Sequence, residues 1–224
     1  MRLSIIMPVL NEAAGIETAL RALAPLRARG AEVIVVDGGG RDGTLRLARP
    51  LATHVLSAPR GRASQMNAGA AAANGDALLF LHADTRLPDD ADGLILDGLR
   101  HNAWGRFDVR FDSGGWLRLV ALTMNLRSRL TGIATGDQAM FMTRAAFEAA
   151  GGFPPIALME DVALSARLKP FGRPLCLSAR ATISGRRWRQ HGLWRTILLM
   201  WHLRLRYFFG ADPARLARAY GYDH

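Results

Sequence analysis

The chain has 224 residues, half of them hydrophobic, which is enough to bury one substantial core, and we expect a single domain over residues 1–224. Its one cysteine, Cys176, excludes an intramolecular disulfide and any cysteine-rich zinc site. The formal net charge of +10 predicts attraction to polyanions such as nucleotides or anionic lipid surfaces. Because no apolar run reaches the ~18 residues of a spanning helix, we expect a cytoplasmic chain, either soluble or held peripherally at the inner face of the cell membrane.

The first third of the sequence alternates short apolar runs with stretches of helical periodicity. In chain order the pattern predicts strand 3–9, helix 13–29, strand 31–36, helix 44–51, strand 53–56, helix 63–73 and strand 77–81. Such alternation predicts an α/β fold with a mainly parallel sheet covered on both faces, and ligands bound at the carboxyl ends of the strands.

The pattern is looser beyond residue 84. It predicts a helix over 90–99, a strand over 104–111 and an amphipathic stretch over 116–130. A second amphipathic segment, 193–209, mixes apolar and aromatic residues with arginines, and we take 190–210 as a C-terminal helical extension. That composition suits a helix lying on an anionic membrane, while a core or homodimer contact is the alternative.

Polar residues follow each of the first four predicted strands. The set comprises Asn11 and Glu12, Asp37, Arg60, and His82 with Asp84. Turn-forming residues are common at such positions, but carboxylates and an arginine after four successive strands indicate one binding site at a single edge of the sheet.

The loop from Gly38 to Gly43 satisfies the G-x-G-x-x-G pattern between a strand and a helix, so an NAD(P)-dependent oxidoreductase is one alternative. That fingerprint requires an acidic residue about twenty positions further on to hold the ribose, and no Asp or Glu lies between Asp42 and Asp76. A basic noncatalytic module for nucleotide or lipid is the second alternative, and it leaves the strand-end carboxylates unexplained.

Two strand-end motifs resemble those of family 2 of the glycosyltransferases. They are Pro8-Val9-Leu10-Asn11-Glu12 and Val36-Asp37-Gly38-Gly39-Gly40-Arg41-Asp42-Gly43-Thr44. The resemblance runs to about Trp188 and implies a GT-A fold, a Rossmann-like three-layer sandwich. It also implies that Asp37 contacts the nucleoside of a UDP-sugar or GDP-sugar, since an ionised carboxylate only accepts hydrogen bonds.

Two further segments resemble the family's donor and metal motifs. Arg60-Gly61, followed by Gln65 and Asn67, is similar to the donor-binding segment, and Leu81-His82-Ala83-Asp84-Thr85 stands where the family carries its D-x-D motif. The resemblance implies that Asp84, with His82 in place of the first Asp, binds Mn²⁺ or Mg²⁺. The implied donor-binding residues are Pro8, Asn11, Glu12, Asp37, Gly39, Arg60, Asn67, His82 and Arg187.

The acceptor side resembles the family in three places. The implied acceptor-binding residues are Gly136, Asp137, Gln138 and Trp188. In Glu160-Asp161 the resemblance makes Asp161 the general base of an inverting transfer, with Glu160 beside it. Acids at the N-terminus of a helix, placed to suit its dipole, are the alternative for that pair.

The sequence therefore predicts an inverting glycosyltransferase that moves a sugar from a nucleoside-diphosphate sugar to an acceptor hydroxyl with a divalent metal. The expected partners are the donor and a sugar or lipid-linked acceptor, with contact to a membrane surface and no nucleic acid. The sugar, the nucleobase and the acceptor depend on the weakly patterned region after Asp84 and are left open.

Overall fold

A computed structural model describes residues 1–221, except for the side chains of Arg187, Gln190, His191 and Leu193. The strands are β1 Leu3–Val9, β2 Glu32–Asp37, β3 His54–Ser57, β4 Ala77–Phe80, β5 Trp104–Phe111, β6 Phe141–Thr143 and β7 Leu175–Ile183. The helices are α1 Ile16–Ala22, α2 Ala24–Ala28, α3 Thr44–Ala48, α4 Arg62–Ala72, α5 Ala91–Gly98, α6 Leu117–Thr131, α7 Arg144–Ala149, α8 Glu160–Leu168, α9 Arg186–His191, α10 Leu193–Phe208 and α11 Pro213–Tyr220. Short 3₁₀ turns span Gly136–Gln138 and Lys169–Phe171.

In the described part of the chain the strands form one seven-stranded sheet in the order β3-β2-β1-β4-β6-β5-β7. β6 pairs antiparallel with both β4 and β5, and the other pairs are parallel. β2 and β4 are buried along their whole length, as expected for apolar strands covered on both faces. The predicted mostly parallel sheet is confirmed.

Two apolar cores lie on opposite faces of the sheet. On one face, Ile16, Leu20 and Ile95 pack against β1 and β2, which places α1 and α5 there. On the other face, Met66, Phe147 and Leu164 bring α4, α7 and α8 against the same strands. The result is the predicted three-layer sandwich, with helices outside and the sheet between them.

The structure departs from the predicted elements where local chemistry interrupts a pattern. The predicted helix 13–29 is two helices that meet at Leu23, and Pro25 stands in the first turn of α2, where its missing N–H costs nothing. β6 and β7 were not predicted. β6 has only three residues, and β7 is an edge strand of mixed exposure, so neither produces a clear period.

β1 is the point at which successive strands change sides in the sheet. β2 and then β3 are added on one side of β1, and β4 is added on the other side. In open α/β sheets the crevice outside the carboxyl ends of the strands at such a switch point binds ligands. The C-terminal helices lie near this edge, and Leu203 of α10 and Leu216 of α11 are buried with Leu158 and Met159. None of the helices described is long and apolar enough to span a bilayer.

Candidate active site

A cleft of about 480 Å³ opens at the carboxyl ends of β1 and β4. The ends of these strands supply Pro8, Glu12, His82 and Asp84, and the start of α4 supplies Arg60, Gly61 and Arg62. The opposite side is formed by Phe111, Asp137, Ile183, Ser184, Arg186, Trp188, Met200 and Tyr220. The cleft thus joins residues from both halves of the chain.

Asp37 ends β2 next to Val9, its partner in the sheet, and adjoins the cleft without lining it. Its buried carboxylate accepts hydrogen bonds at Oδ2 from the N–H groups of Gly39 and Gly40, both at 2.9 Å. Oδ1 is buried and has no hydrogen-bond partner among the described residues. Since buried polar atoms are nearly always bonded, this oxygen is suited to receive a ligand N–H or hydroxyl.

The glycine loop is closed around this carboxylate. A Cβ on Gly40 would lie 2.9 Å from Asp37 Oδ1 and 3.0 Å from Asn11 Oδ1, so only glycine fits. Asn11 itself is exposed and accepts a hydrogen bond from the N–H of Arg41. The N–H groups of residues 38–41 therefore donate to protein oxygens of Val9, Asp37 and Asn11.

Side-chain bonds tie the loops after β1 and β2 together. Thr44 Oγ1 accepts the Glu12 N–H at 2.8 Å, and Asp42 accepts the N–H of Ala13. From beneath, Gln65 Nε2 donates to the carbonyls of Val9 and Val36, which end neighbouring strands. The donor side of the cleft is held in place by the protein's own contacts.

Two carboxylates stand together on the cleft surface. Burial raises the pKa of Glu12, and the negative charge of Asp84 raises it further, which shows that the two groups repel each other. Asp84 is exposed to the cleft. Among residues 1–221 no set of three His, Cys, Asp or Glu side chains is arranged to hold a metal. Two carboxylates nevertheless fit Mg²⁺ or Mn²⁺ bound jointly with phosphate oxygens.

His82 lines the same cleft and contacts the turn at Gly136. Its Nδ1 lies 3.3 Å from Asp137 Oδ1, and its Nε2 lies so close to Gly136 that a Cβ there would come within 2.7 Å. Burial acts to raise the pKa of Asp137, but the hydrogen bond and charge of His82, together with the charges of Arg62 and Arg204, hold that pKa below its usual value. The contacts of His82 thus indicate a role in fixing the turn at Gly136.

Glu160 and Asp161 begin α8, on the far side of that turn. Asp161 Oδ2 accepts the Gly136 N–H at 2.7 Å, and Oδ1 accepts the N–H of Val162. Asp161 is half-buried and adjoins the cleft through the turn that carries Asp137. Glu160 is buried, and burial together with the charge of Asp161 raises its pKa to about 7.

The acceptor-side surface combines an apolar wall with basic residues. Trp188 meets Phe111 edge to face at 5.7 Å, and Ile183 packs with both. Arg186 lies beside them and interacts electrostatically with Glu12. The side chain of Arg187, predicted to bind the donor, lies outside the described residues.

Three of the predicted site residues have structural contacts. The amide of Asn67 is fully engaged with the backbone of Phe153, donating to its carbonyl and accepting from its N–H. Gln138 is buried, and its Oε1 accepts the Thr135 N–H, so it locks the 3₁₀ turn and does not face an acceptor. His82 contacts the same turn and also lines the cleft, and its role as a metal ligand stays a prediction.

Several cleft residues were not predicted from the sequence. Arg62 follows Arg60-Gly61 at the first position of α4. Because it stands next to a predicted anion site in the sequence, it could have been predicted as a cleft residue. Met200 and Tyr220 reach the cleft from α10 and α11. No local pattern could have placed them there, because their position depends on packing between helices far apart in the chain.

Comparison with known proteins agrees with this architecture. Residues 4–149, well over half of the chain, match a family model described as glycosyl transferase family 2. The chain belongs to glycosyl transferase family 2. This membership favours the predicted sugar transfer over the oxidoreductase and noncatalytic alternatives. Glu160, Asp161 and Trp188 lie beyond the matched segment of this family 2 glycosyltransferase.

Solved structures show the same fold as the glycosyltransferase. Residues 1–349 of S. aureus TarS are 20% identical, with a TM-score of 0.67 over 83% of this chain, which spans 61% of that chain. The mannosyltransferase PcManGT from Pyrobaculum calidifontis, solved with GDP-Man and Mn²⁺, is 22% identical, with a TM-score of 0.67 over 99% of this chain and 69% of that one.

Glucosyl-3-phosphoglycerate synthase from Mycobacterium tuberculosis, in complex with Mn²⁺, UDP and glucosyl-3-phosphoglycerate, is 20% identical, with a TM-score of 0.59 over 81% of this chain and 70% of that one. At these identities the similarity establishes the GT-A fold. A search of curated proteins found no match.

Proposed function

We propose that this glycosyltransferase transfers a sugar, with inversion, from a nucleoside-diphosphate sugar to an acceptor hydroxyl. The proposal is supported by the cleft at the switch point of the sheet, which Asp84 lines, and by Asp37 and Asp161, which lie next to lining residues. Each of the three comes from a different element, so their convergence is a property of the fold.

The donor is proposed to lie along the β1–β4 side. Asp37 Oδ1, buried and without a described partner, would accept a hydrogen bond from the base or the ribose of the nucleoside. Arg60 lies across the cleft opening at the start of α4, where a guanidinium suits phosphate oxygens. A UDP-sugar or a GDP-sugar is proposed because similar structures contain UDP-GlcNAc, GDP-Man and UDP.

A divalent ion, Mn²⁺ or Mg²⁺, is proposed to be held by Asp84 with Glu12 beside it. When bound, it would neutralise charge on the leaving nucleoside diphosphate. Support comes from the mutual repulsion of these two carboxylates, which a cation would relieve, and from the Mn²⁺ in two of the similar structures.

Asp161 is proposed to take the proton of the acceptor hydroxyl. As that oxygen forms a bond to the anomeric carbon, the bond to the diphosphate oxygen breaks on the opposite face, so the configuration inverts. Asp161 is suited to this role because two backbone N–H groups fix the orientation of its carboxylate. The pKa of the neighbouring Glu160 is raised to about 7 by burial and by the charge of Asp161.

The acceptor is proposed to be a sugar carried on a lipid. The acceptor side of the cleft is bounded by Trp188, Phe111 and Ile183, and Met200 adds a residue of α10 to the same cleft. An apolar wall of this kind suits an alkyl or isoprenoid chain next to a sugar. A sugar linked to an alkyl chain should therefore have a lower KM than the free sugar, and equal values would contradict the lipid linkage.

A thermal-shift series tests the donor assignment. Uridine, guanosine and thymidine diphosphates are added with and without Mn²⁺, because binding to the native state raises its melting temperature. We expect one nucleotide to stabilise the protein strongly in the presence of Mn²⁺. If none of the three changes the melting temperature with the metal present, the proposed function is wrong.

A further inference from the structure

The outer face of α10 carries a continuous row of large apolar side chains. Its members, exposed by 58 to 82%, are Trp194, Leu198, Trp201, Leu205 and Phe208. At about 100° per residue, these positions fall within a narrow stripe on one side of the helix. Leu203 and Thr196, which are buried, point to the opposite side. The row is therefore an outward face that no described part of the chain covers.

The outer face of α6 carries a second row of the same kind. Its members, exposed by 52 to 69%, are Leu119, Leu122, Leu126 and Leu130. The inward side of this helix is occupied by Leu117, Ala121 and Ser128, all of them buried. Trp116, which immediately precedes the helix, is also largely exposed. Two adjacent helices thus leave apolar rows in contact with solvent, which is unusual for a surface without a partner.

The charges carried by both helices are of one sign. On the helical wheel, Arg118 flanks one side of the α6 row, and Arg195 and Arg206 flank one side of the α10 row. Arg129 lies on the same side as Arg118, but it pairs with Asp108 of β5 at 2.7 Å. No Asp or Glu occurs in residues 113–136 or 162–211, so neither helix carries an acidic residue. The two helices lie close together, since Arg127 of α6 and Arg204 of α10 interact electrostatically.

Apolar side chains flanked by arginines match the interface of an anionic bilayer. Leucine and phenylalanine enter the region between headgroups and acyl chains, and tryptophan prefers that depth. Arginines at the edges of the rows would meet phosphate and other acidic headgroups, each adding to the attraction. A second copy of this chain fits less well, because the flanking arginines would then face one another without any carboxylate to pair with.

We propose that the apolar rows of α6 and α10 together dock this enzyme onto an anionic lipid bilayer. The docking itself is independent of the proposed reaction. Because Met200 of α10 also lines the cleft, docking would place the acceptor side of the cleft at the membrane surface, where a lipid-linked sugar would be presented.

Co-sedimentation of the full chain with vesicles tests the proposal. Two sets of vesicles are compared, phosphatidylcholine alone and phosphatidylcholine mixed with phosphatidylglycerol. We expect binding to the mixed vesicles that weakens as salt is raised, since salt screens exposed charges. Equal binding to both sets, or binding to neither, would overturn the proposal.

Two double variants locate the surface. L198Q with W201Q alters α10, L122Q with L126Q alters α6, and F171Q removes an exposed aromatic outside both rows as a matched control. We expect each double variant to lose vesicle affinity by at least about tenfold and the control to bind normally, since each large side chain contributes strongly when buried. Normal vesicle binding by either double variant would overturn a two-helix surface.

Further measurements separate a loss of docking from unfolding and from self-association. The melting temperature and the nucleotide affinity of each variant should match those of the unaltered protein, because the substituted side chains face solvent. Sedimentation velocity of the unaltered protein should show a single monomeric species. A dimer that the α6 or α10 substitutions dissociate would show that the rows contact a second copy, contrary to the proposal.

Discussion

The two sides of the cleft differ in how far the protein satisfies its own polar groups. On the donor side, Asp42, Thr44 and Gln65 bond the loops after β1 and β2 to one another, and two buried oxygens, Asp37 Oδ1 and Thr85 Oγ1, lack a described partner. On the acceptor side, buried nitrogen or oxygen atoms of Arg127, Thr135 and Gln138 lack one. The donor side is ordered before any ligand binds, which suits a ligand common to many enzymes of the family.

The acceptor side, by contrast, keeps features that the isolated chain does not explain. Besides the unsatisfied atoms, it bears the apolar rows of α6 and α10. Exposed apolar surface and buried unpaired donors each lower the stability of the folded protein. Proteins keep such destabilising features mainly in functional regions.

The largest expected effect is on the rate of sugar transfer, through Asp161 at the boundary between the two sides of the cleft. Asp161→Asn removes the proposed proton acceptor and should lower the turnover number by about 10² to 10⁴-fold. Donor binding should be unchanged, because the donor side makes no described contact with Asp161. Steady-state rates and calorimetric titration of the nucleotide measure the two quantities, with the exposed Asp97→Asn as control. Loss of nucleotide binding along with activity would point to a structural role.

The next effect concerns Glu160 and the dependence of stability on pH. The folded pKa of about 7 lies above the ordinary value of 4.5, so between these values the folded protein binds more protons than the unfolded chain. The free energy of unfolding should therefore fall as pH rises from about 4.5 to 7.

Glu160→Gln should remove this dependence. Above pH ~7 the free energy of unfolding of the variant is expected to exceed that of the unaltered protein by up to about 3 kcal/mol. Near pH 4.5 the two free energies should be equal. Urea unfolding at both pH values measures this, with the exposed Glu148→Gln as control. An equal gain at both pH values would show that burial of the charge is not the cause.

A smaller effect is expected on the affinity for the nucleoside. Asp37→Asn places an amide where two backbone N–H groups now meet a carboxylate, and it should weaken nucleotide binding by about 10 to 100-fold. Calorimetry with the nucleoside alone, without phosphate or metal, isolates this contact. If the nucleoside binds Asp37→Asn normally and only the diphosphate is affected, Asp37 does not contact the nucleoside.

The smallest effect is expected for Arg127, whose buried nitrogens are unsatisfied, and Arg106 serves as the satisfied counterpart. Arg106 is fully buried and bonds Ser128, Asp108 and Asn125, whereas Arg127 Nε and Nη2 are buried without a described partner. Burial and the charge of Arg204 lower the pKa of Arg127 to about 10.

Arg127→Met should thus leave the free energy of unfolding unchanged or raise it by about 1 kcal/mol, while Arg106→Met should lower it by about 3 to 5 kcal/mol. Urea unfolding of both variants measures the contrast. A large loss of stability in Arg127→Met would show that its guanidinium is paired in solution, and the contrast between the two sides would weaken.

Much of the donor side was predictable from the sequence, because its elements are short and local. The alternation of apolar strands with helices predicts the sheet, and the rule that ligands bind at strand ends leads to Asp37, Arg60 and Asp84. Helix boundaries were less accurate where the chain turns within a periodic stretch, as at Leu23.

Other predicted site residues make contacts with distant parts of the chain that the sequence does not show. Asn67 and Gln138 have the polarity of site residues, yet each bonds the backbone of a loop that only the folded structure brings to it. His82 follows β4 as predicted, but Asp137, more than fifty residues later, orients its ring. The environment of Arg127 likewise depends on the packing of α10, which no spacing in the sequence encodes.

The most direct test is the position of Mn²⁺ in a crystal grown with a nucleoside diphosphate, located by anomalous scattering. We predict one peak at the Asp84 carboxylate, with the diphosphate between it and Arg60 and the nucleoside within hydrogen-bonding reach of Asp37 Oδ1. A peak away from Asp84, or a nucleotide bound outside the cleft, would contradict the proposed reaction.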